Sequence, residues 1–94
     1  MTYARKVDGI QADVVKALRA CGVSVQVTSS AGQGFPDLCC GAHNRTWLIE
    51  CKRPGGNLTG EQETWWGMWR GEAYIVQSVG EALATITHRV RPRN

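Results

Sequence analysis

Two carboxylates and a lysine occur at a spacing that could serve a metal ion. Pro36-Asp37 is followed, after twelve residues, by Glu50-Cys51-Lys52. Hard divalent cations such as Mg²⁺ take carboxylate oxygens and keep several waters, which suits two acids without a soft ligand. If Asp37 and Glu50 lie together, these residue types indicate a magnesium site.

A predicted β-hairpin brings the two acids together. The strands flank a short turn around His43-Asn44, and a turn centred there pairs Asp37 with Glu50. Directly opposed residues have Cβ atoms about 4.5 to 5.5 Å apart, and like charges at that distance destabilise the sheet unless a cation compensates. Lys52, two residues after Glu50, is expected on the same face.

The apolar residues of the hairpin share its other face and are expected to pack on helices; they are Leu38, Cys40, Ile49 and Cys51. Packing of the core therefore does not account for the charged residues on the other face of the hairpin. An alternative interpretation involves no catalysis. Asp37 then merely begins a strand. Glu50 pairs with Lys52 or Arg53 on an exposed face.

Polar residues on two predicted helices are further candidates. Gln11 falls inside the apolar arc of the first helix, with Asp8 at its edge one turn earlier. Gln11 is either a satisfied buried amide or a site residue, and Asp8 is either a surface acid or a site residue. Gln62 lies in the apolar stripe of the second helix. It is also position N3 of a capping box that begins at Thr59, where glutamine is favoured for structural reasons alone.

The elements that position these residues have the order αβββαβα. Helical periodicity and capping patterns predict helices over residues 4–21 and 59–70 and from residue 79, and strands over residues 23–27, 37–40, 46–51 and 74–76. The second helix is the crossover that places the last strand parallel to the third. An α/β fold with a mixed sheet flanked by helices on both faces is the predicted architecture.

Length and composition limit the class of protein. The 94 residues, 43% hydrophobic and 20% charged, predict a single folded domain over residues 1–94. No stretch approaches the roughly 20 apolar residues of a membrane span, and no secretion signal is visible, so a cytoplasmic location is expected. The four cysteines lack a CxxC spacing and are interpreted as small buried hydrophobes. The net charge of +3 permits a polyanionic partner.

Pro36-Asp37 and Glu50-Cys51-Lys52 resemble the motif of the PD-(D/E)xK nuclease superfamily. The segments 34–38 (GFPDL), 47–52 (WLIECK) and 58–62 (LTGEQ) are similar to its virus-type replication-repair nuclease branch, VRR-NUC. The similarity extends over about residues 7–86, so the chain resembles a minimal standalone member. The implied fold is the restriction-endonuclease-like αβββαβα core.

The resemblance implies a metal-dependent DNA endonuclease that hydrolyses phosphodiester bonds. Asp37 and Glu50 would be ligands of Mg²⁺ or Mn²⁺, with the backbone carbonyl of Cys51 as a third ligand. Lys52 would orient and polarise the attacking water, and Gln11 could fill the place of a Glu or Gln that lies near the metal in this family. Because Gln11 is neutral, the resemblance does not decide between one metal ion and two unless Asp8 is also a ligand.

The resemblance also suggests partners. Standalone members are often homodimers related to Holliday-junction resolvases, which implies structure-selective cutting of branched DNA in replication or repair, in a bacterium or a phage-infected host cell. No membrane or small-molecule partner is expected. The predicted DNA contacts are Lys52, Arg53, Gly32, Gly34, Arg5 and Lys6, and a basic tail begins near residue 88. Two alternatives are a catalytically silent DNA-binding module of the same fold and a restriction-type or homing-type endonuclease.

Overall fold

The computed structural model of the chain describes residues 9–90, and only the backbone of residues 88–90. In chain order the elements are α1 (Gln11–Ala20), β1 (Ser24–Val27), β2 (Leu38–Ala42), β3 (Arg45–Cys51), α2 (Gly60–Met68), β4 (Ala73–Val76) and α3 (Val79–Val90). The predicted α/β order of elements is confirmed over these residues. None of the described helices is long and apolar enough to cross a membrane.

The strands form one mixed sheet in the order β1-β2-β3-β4. The pairs β1–β2 and β2–β3 are antiparallel, whereas β3 and β4 are parallel. A parallel pair needs a crossover connection, and α2 lies in it. The predicted parallel placement of the last strand beside the third is confirmed.

The β2–β3 hairpin has the predicted register. His43 and Asn44 have φ values of 54° and 62°, as a two-residue type I′ turn requires at both positions. Leu38 lies opposite Ile49, so the residue before β2, Asp37, stands one step further along, towards Glu50. The turn therefore determines which residues meet at the far end of the hairpin.

The core lies on one face of the sheet, beneath α1 and α3, which contact each other. Its buried members are Val14, Leu18, Val23, Leu38, Cys40, Trp47, Ile49, Cys51, Val76 and Ala82. The prediction that the apolar residues of the hairpin pack on helices is confirmed. Of the four free cysteines, Cys21 is exposed and does not fit the expectation of small buried hydrophobes, because it caps the end of α1.

The predicted start of the first helix is wrong within the described residues. Gly9 and Ile10 form a turn and α1 begins at Gln11, because glycine is a poor helix former; residues 4–8 lie outside the described part. The end agrees with the prediction. Gly22, with φ of 85°, and the following Val23 donate to carbonyls of the last helical turn, as in a Schellman motif.

The predicted end of the second helix needs correction, and the last strand is partly exposed. The second helix ends at Met68 rather than residue 70, because Trp69 has an extended backbone while its N–H still bonds the carbonyl of Trp65. The last strand is not fully buried: Ile75 is 43% exposed. Since β4 is an edge strand and its side chains alternate between faces, Ile75 points away from α1 and α3.

The loop before β2 is attached to α2 through Gly34. Its φ is 82°, and a Cβ at this position would lie 2.7 Å from the carbonyl carbon of Glu61. The first turn of α2 thus occupies the space that a side chain on residue 34 would need. Of the two glycines predicted to contact DNA, Gly34 is therefore packed against α2, whereas the Cβ position of Gly32 has nothing within 4 Å.

Gly34→Ala is expected to lower the free energy of unfolding by about 2 kcal/mol or more, because a left-handed backbone and an overlap with helix backbone both oppose the methyl group. Gly32→Ala is the control, since its φ of 80° is similar but its surroundings are open. Urea unfolding of both variants measures the difference. Equal losses of stability would show that the contact with α2 is unimportant.

Candidate metal centre

Asp37 is held at the junction between the loop and β2. Thr28, just after β1, donates from its hydroxyl to the carbonyl of Pro36 at 2.8 Å and from its N–H to the carbonyl of Asp37 at 2.7 Å. The Oδ2 atom of Asp37 accepts a hydrogen bond of 3.0 Å from the N–H of Cys51. These bonds fix the carboxylate against the end of β3.

Glu50 is the most unusual residue of the sheet, because its charge-bearing side chain is only 2% exposed. Its Oε2 atom accepts a hydrogen bond of 2.8 Å from Nε2 of Gln62 and lies 3.6 Å from Nζ of Lys52. Its Oε1 atom is also buried and has no hydrogen-bond partner among the described residues. The alternative of an ion pair on an exposed face is therefore wrong about exposure, although Glu50 and Lys52 do pair.

The surroundings of Glu50 favour its protonated form. Burial, and after it the negative charge of Asp37, raise the pKa of its carboxyl from 4.5 to about 7 against the lowering effect of Lys52. The pairing of Leu38 with Ile49 places Asp37 and Glu50 on the same face at the next position of the hairpin. When both carboxyl groups are ionised, Lys52 balances only one of the two negative charges.

The aliphatic part of the Lys52 side chain lies close to the turn that follows it in the chain. Residues 53–56 form a tight turn in which the N–H of Gly56 donates to the carbonyl of Arg53 at 2.8 Å. A Cβ on Gly56 would lie 3.8 Å from Cδ of Lys52. The side chain of Lys52 is 16% exposed, so its ammonium group is near Glu50 and still reachable from solvent.

Gln62 combines the two roles that the sequence left as alternatives. Its side-chain Oε1 accepts from the N–H of Thr59 at 2.9 Å, and its N–H donates to the hydroxyl of Thr59 at 3.2 Å. This is the predicted capping box. The remaining amide group, Nε2, donates to Glu50, so the same side chain starts α2 and binds a site carboxylate.

The other predicted site residues are placed less close to the carboxylates. Gln11 is half-buried at the start of α1, and within the described part of the chain no hydrogen bond joins it to Asp37, Glu50 or Lys52. Arg53 is exposed, and its Nε atom would lie 3.9 Å from a Cβ on Gly9, near the start of α1. The predictions for Asp8, Arg5 and Lys6 fall outside the described residues.

The residues present fit a hard divalent cation. Across residues 9–90, no group of three or more His, Cys, Asp and Glu side chains forms, so a zinc-type cage is not provided. Mg²⁺ is usually bound through one or two protein carboxylates together with waters and substrate phosphates, which two acids can satisfy. The unpartnered Oε1 of Glu50 is a buried acceptor that lacks a donor or a cation.

The backbone of Cys51 can add a third oxygen. Its N–H points towards Asp37, and the N–H and C=O of one strand residue point to the same edge of the strand. The carbonyl is therefore directed to the edge on which Asp37 lies. Its use as a ligand remains a prediction.

Sequence reasoning missed Thr28, which fixes the backbone on both sides of the Pro36-Asp37 peptide bond. A threonine at the end of an alternating strand carries no signal of this role. The sequence indicated Phe35 only as part of the motif over residues 34–38. In the structure its ring contacts Trp65 of α2, with 5.6 Å between the ring centroids. Both contacts join segments that are distant in sequence.

Comparison of this chain with family models, with curated proteins and with solved structures gives no match. The functional interpretation accordingly depends on the residues around Glu50 and their geometry.

In metal-free buffer, stability is expected to fall by on the order of 3 kcal/mol as the pH rises from 4.5 to about 7. In this range the folded state holds a proton on Glu50 that the unfolded state has lost, so raising the pH favours unfolding. Above pH 7 this loss is complete. Urea unfolding in EDTA across this range measures it.

Glu50→Gln should remove most of this pH dependence, because the amide keeps the shape but does not titrate. Glu63→Gln, an exposed acid on α2, is the matched control and should retain the dependence. If the two variants behave alike, the burial of Glu50 does not control stability in this range.

Proposed function

We propose that this protein is a metal-dependent DNA endonuclease of the PD-(D/E)xK type with a restriction-endonuclease-like core. One observation carries the proposal: a buried glutamate with an unpartnered oxygen lies beside Asp37 and Lys52 at the end of a hairpin. A purely structural glutamate at this position would be costly, since a buried acceptor without a donor destabilises the fold.

The carboxylates of Asp37 and Glu50, with the carbonyl of Cys51, would hold Mg²⁺ or Mn²⁺. When bound, such an ion lowers the pKa of a coordinated water and stabilises charge on phosphoryl oxygens. Asp37 is oriented by its hydrogen bond from Cys51. Gln62 occupies Oε2 of Glu50, which leaves Oε1 as the oxygen that can take a further partner.

Lys52 supplies the positive charge of the protein at this site. Its ammonium group, held near Glu50 by the short turn that follows, can donate to a water or to a phosphoryl oxygen. Preorganised donors directed at developing charge are a major source of rate enhancement. Lys52 therefore orients the attacking water and stabilises the charge that develops on the phosphate.

DNA is the substrate that best fits the charges of this surface. Lys52 lies beside Glu50, the exposed Arg53 follows it in the chain, and the open loop at Gly32 precedes Asp37. Contacts of such residues with phosphates weaken as salt rises. Preference for branched DNA, a homodimeric state and a cytoplasmic setting are parts of the same proposal.

Lys52→Ala is expected to reduce DNA cleavage by about 100-fold or more while the protein stays folded. Lys16→Ala, an exposed lysine on α1, is the control and should cleave like the wild type. Initial rates on a labelled substrate, with circular dichroism to check folding, provide the measurement. A Lys52→Ala protein as active as the Lys16→Ala protein would overturn the mechanism.

Purified protein incubated with four-way junctions, flaps and linear duplex is expected to cut branched DNA with Mg²⁺ or Mn²⁺ and to stop in EDTA. Calorimetry measures the binding of Mn²⁺ in the absence of DNA. This binding should be lost in Glu50→Gln and retained in Glu63→Gln, because only Glu50 lies at the site. Cutting of linear duplex at one sequence would instead favour a restriction-type enzyme. DNA binding without metal-stimulated cutting would favour the silent module.

A further inference from the structure

A groove of about 550 Å³ lies along α2 and the loop before β2. Its lining residues are Gln33, Gly60, Glu61, Thr64, Trp65 and Met68. None of them belongs to the proposed metal site. The volume is within the range of pockets that bind small organic molecules, about 300 to 1,000 Å³.

The apolar wall of the groove is rigidly supported. The ring of Trp65 stacks on Trp69, with centroids 4.7 Å apart and an angle of 19° between the planes. Phe35 meets the same ring edge-on at 5.6 Å. Met68, which is 70% exposed, adds an open apolar margin. Trp69 covers one face of the Trp65 ring, so a further planar group can stack only on the other face.

The opposite wall carries Gln33 in a strained conformation. Its φ of 58° is unusual for a residue other than glycine, and it stands between Gly32 and Gly34, both also at positive φ. The contact of Gly34 with Glu61 keeps this loop against the helix. Strain of this kind persists where the surroundings impose it and is concentrated at binding sites. The loop therefore holds an amide side chain beside the groove.

The polar groups of the groove are available to a ligand. Within the described residues, the side chains of Gln33 and Glu61 form no hydrogen bond or ion pair. Glu61 is an acceptor and repels phosphate, whereas Gln33 both donates and accepts. A ligand that matches this wall is planar and uncharged and carries an N–H donor beside an acceptor. A nucleobase has all of these properties.

We propose that this groove holds an unpaired nucleobase of the DNA strand bound at the neighbouring site, stacked on Trp65 and hydrogen-bonded by Gln33 and Glu61. The inference rests on the proposed function and specifies its substrate. The groove and the site are neighbours along α2, because Glu61 lines the groove and the next residue, Gln62, binds Glu50. A paired base cannot enter, so the preferred substrate has unpaired nucleotides next to the cleaved bond.

The test uses a fluorescent duplex with a short flap and the same duplex with abasic nucleotides in the flap, in EDTA so that no cutting occurs. Both carry the same phosphates, so a difference in affinity measured by anisotropy reports the bases alone. The normal flap should bind about tenfold more tightly. Trp65→Leu should abolish this difference, with folding checked by circular dichroism.

Glu61→Gln and Glu63→Gln make a matched pair that does not depend on the tryptophan. They make the same charge change within the first turn of α2, but only Glu61 lines the groove. Glu61→Gln should reduce the preference for the normal flap, and Glu63→Gln should keep it. Equal binding of the two flaps by the wild type, or equal effects of the two variants, would overturn the proposal. So would a dimer that Met68→Glu dissociates, since the groove would then hold a second copy.

Failure of this inference is distinguishable from failure of the proposed function. A preference for the normal flap without cutting in Mg²⁺ would contradict the nuclease alone. Cutting of branched DNA with equal binding of both flaps would contradict the base-binding groove alone.

Discussion

The burial of the Glu50 carboxylate is the constraint on which the rest of this structure depends. A charged group removed from water is costly unless it is paired and hydrogen-bonded. Here one oxygen receives Gln62 and faces Lys52, while the other has no partner among the described residues. The carboxyl group responds with a raised pKa. The fold thus holds a buried carboxyl group whose hydrogen bonding by the described residues is incomplete, in place of a fully satisfied polar cluster.

The first turn of α2 connects the separate parts of the molecule. Gln62 closes the capping box with Thr59 and binds Glu50, so the start of this helix and the orientation of the acid depend on one side chain. One residue earlier, the backbone of Glu61 takes the space that a side chain on Gly34 would need. The loop before Asp37 is therefore packed directly against the helix. The carboxylate site and the aromatic groove both depend on this turn, through Gln62 and Glu61 respectively.

Much of the fold follows from local patterns. The two-residue turn at His43 and Asn44 requires a particular register, and that register predicts the approach of Asp37 to Glu50 from residue order alone. The capping box at Thr59 likewise predicts where α2 begins. The ends of elements were less predictable. The extended backbone of Trp69 ends α2 early, and the exposure of Ile75 follows from the edge position of β4, which no local pattern states.

By itself, the sequence determined the order of the elements, the hairpin register and the pairing of Glu50 with Lys52, because each depends on neighbours in the chain or on strand alternation. Only the tertiary structure decided that Glu50 is buried, that Gln62 reaches it, and that Thr28 holds the backbone on both sides of the Pro36-Asp37 peptide bond. It likewise decided that Gly34 serves the packing of α2. These contacts join segments separated along the chain, and their geometry is set by the packing of the sheet against its helices.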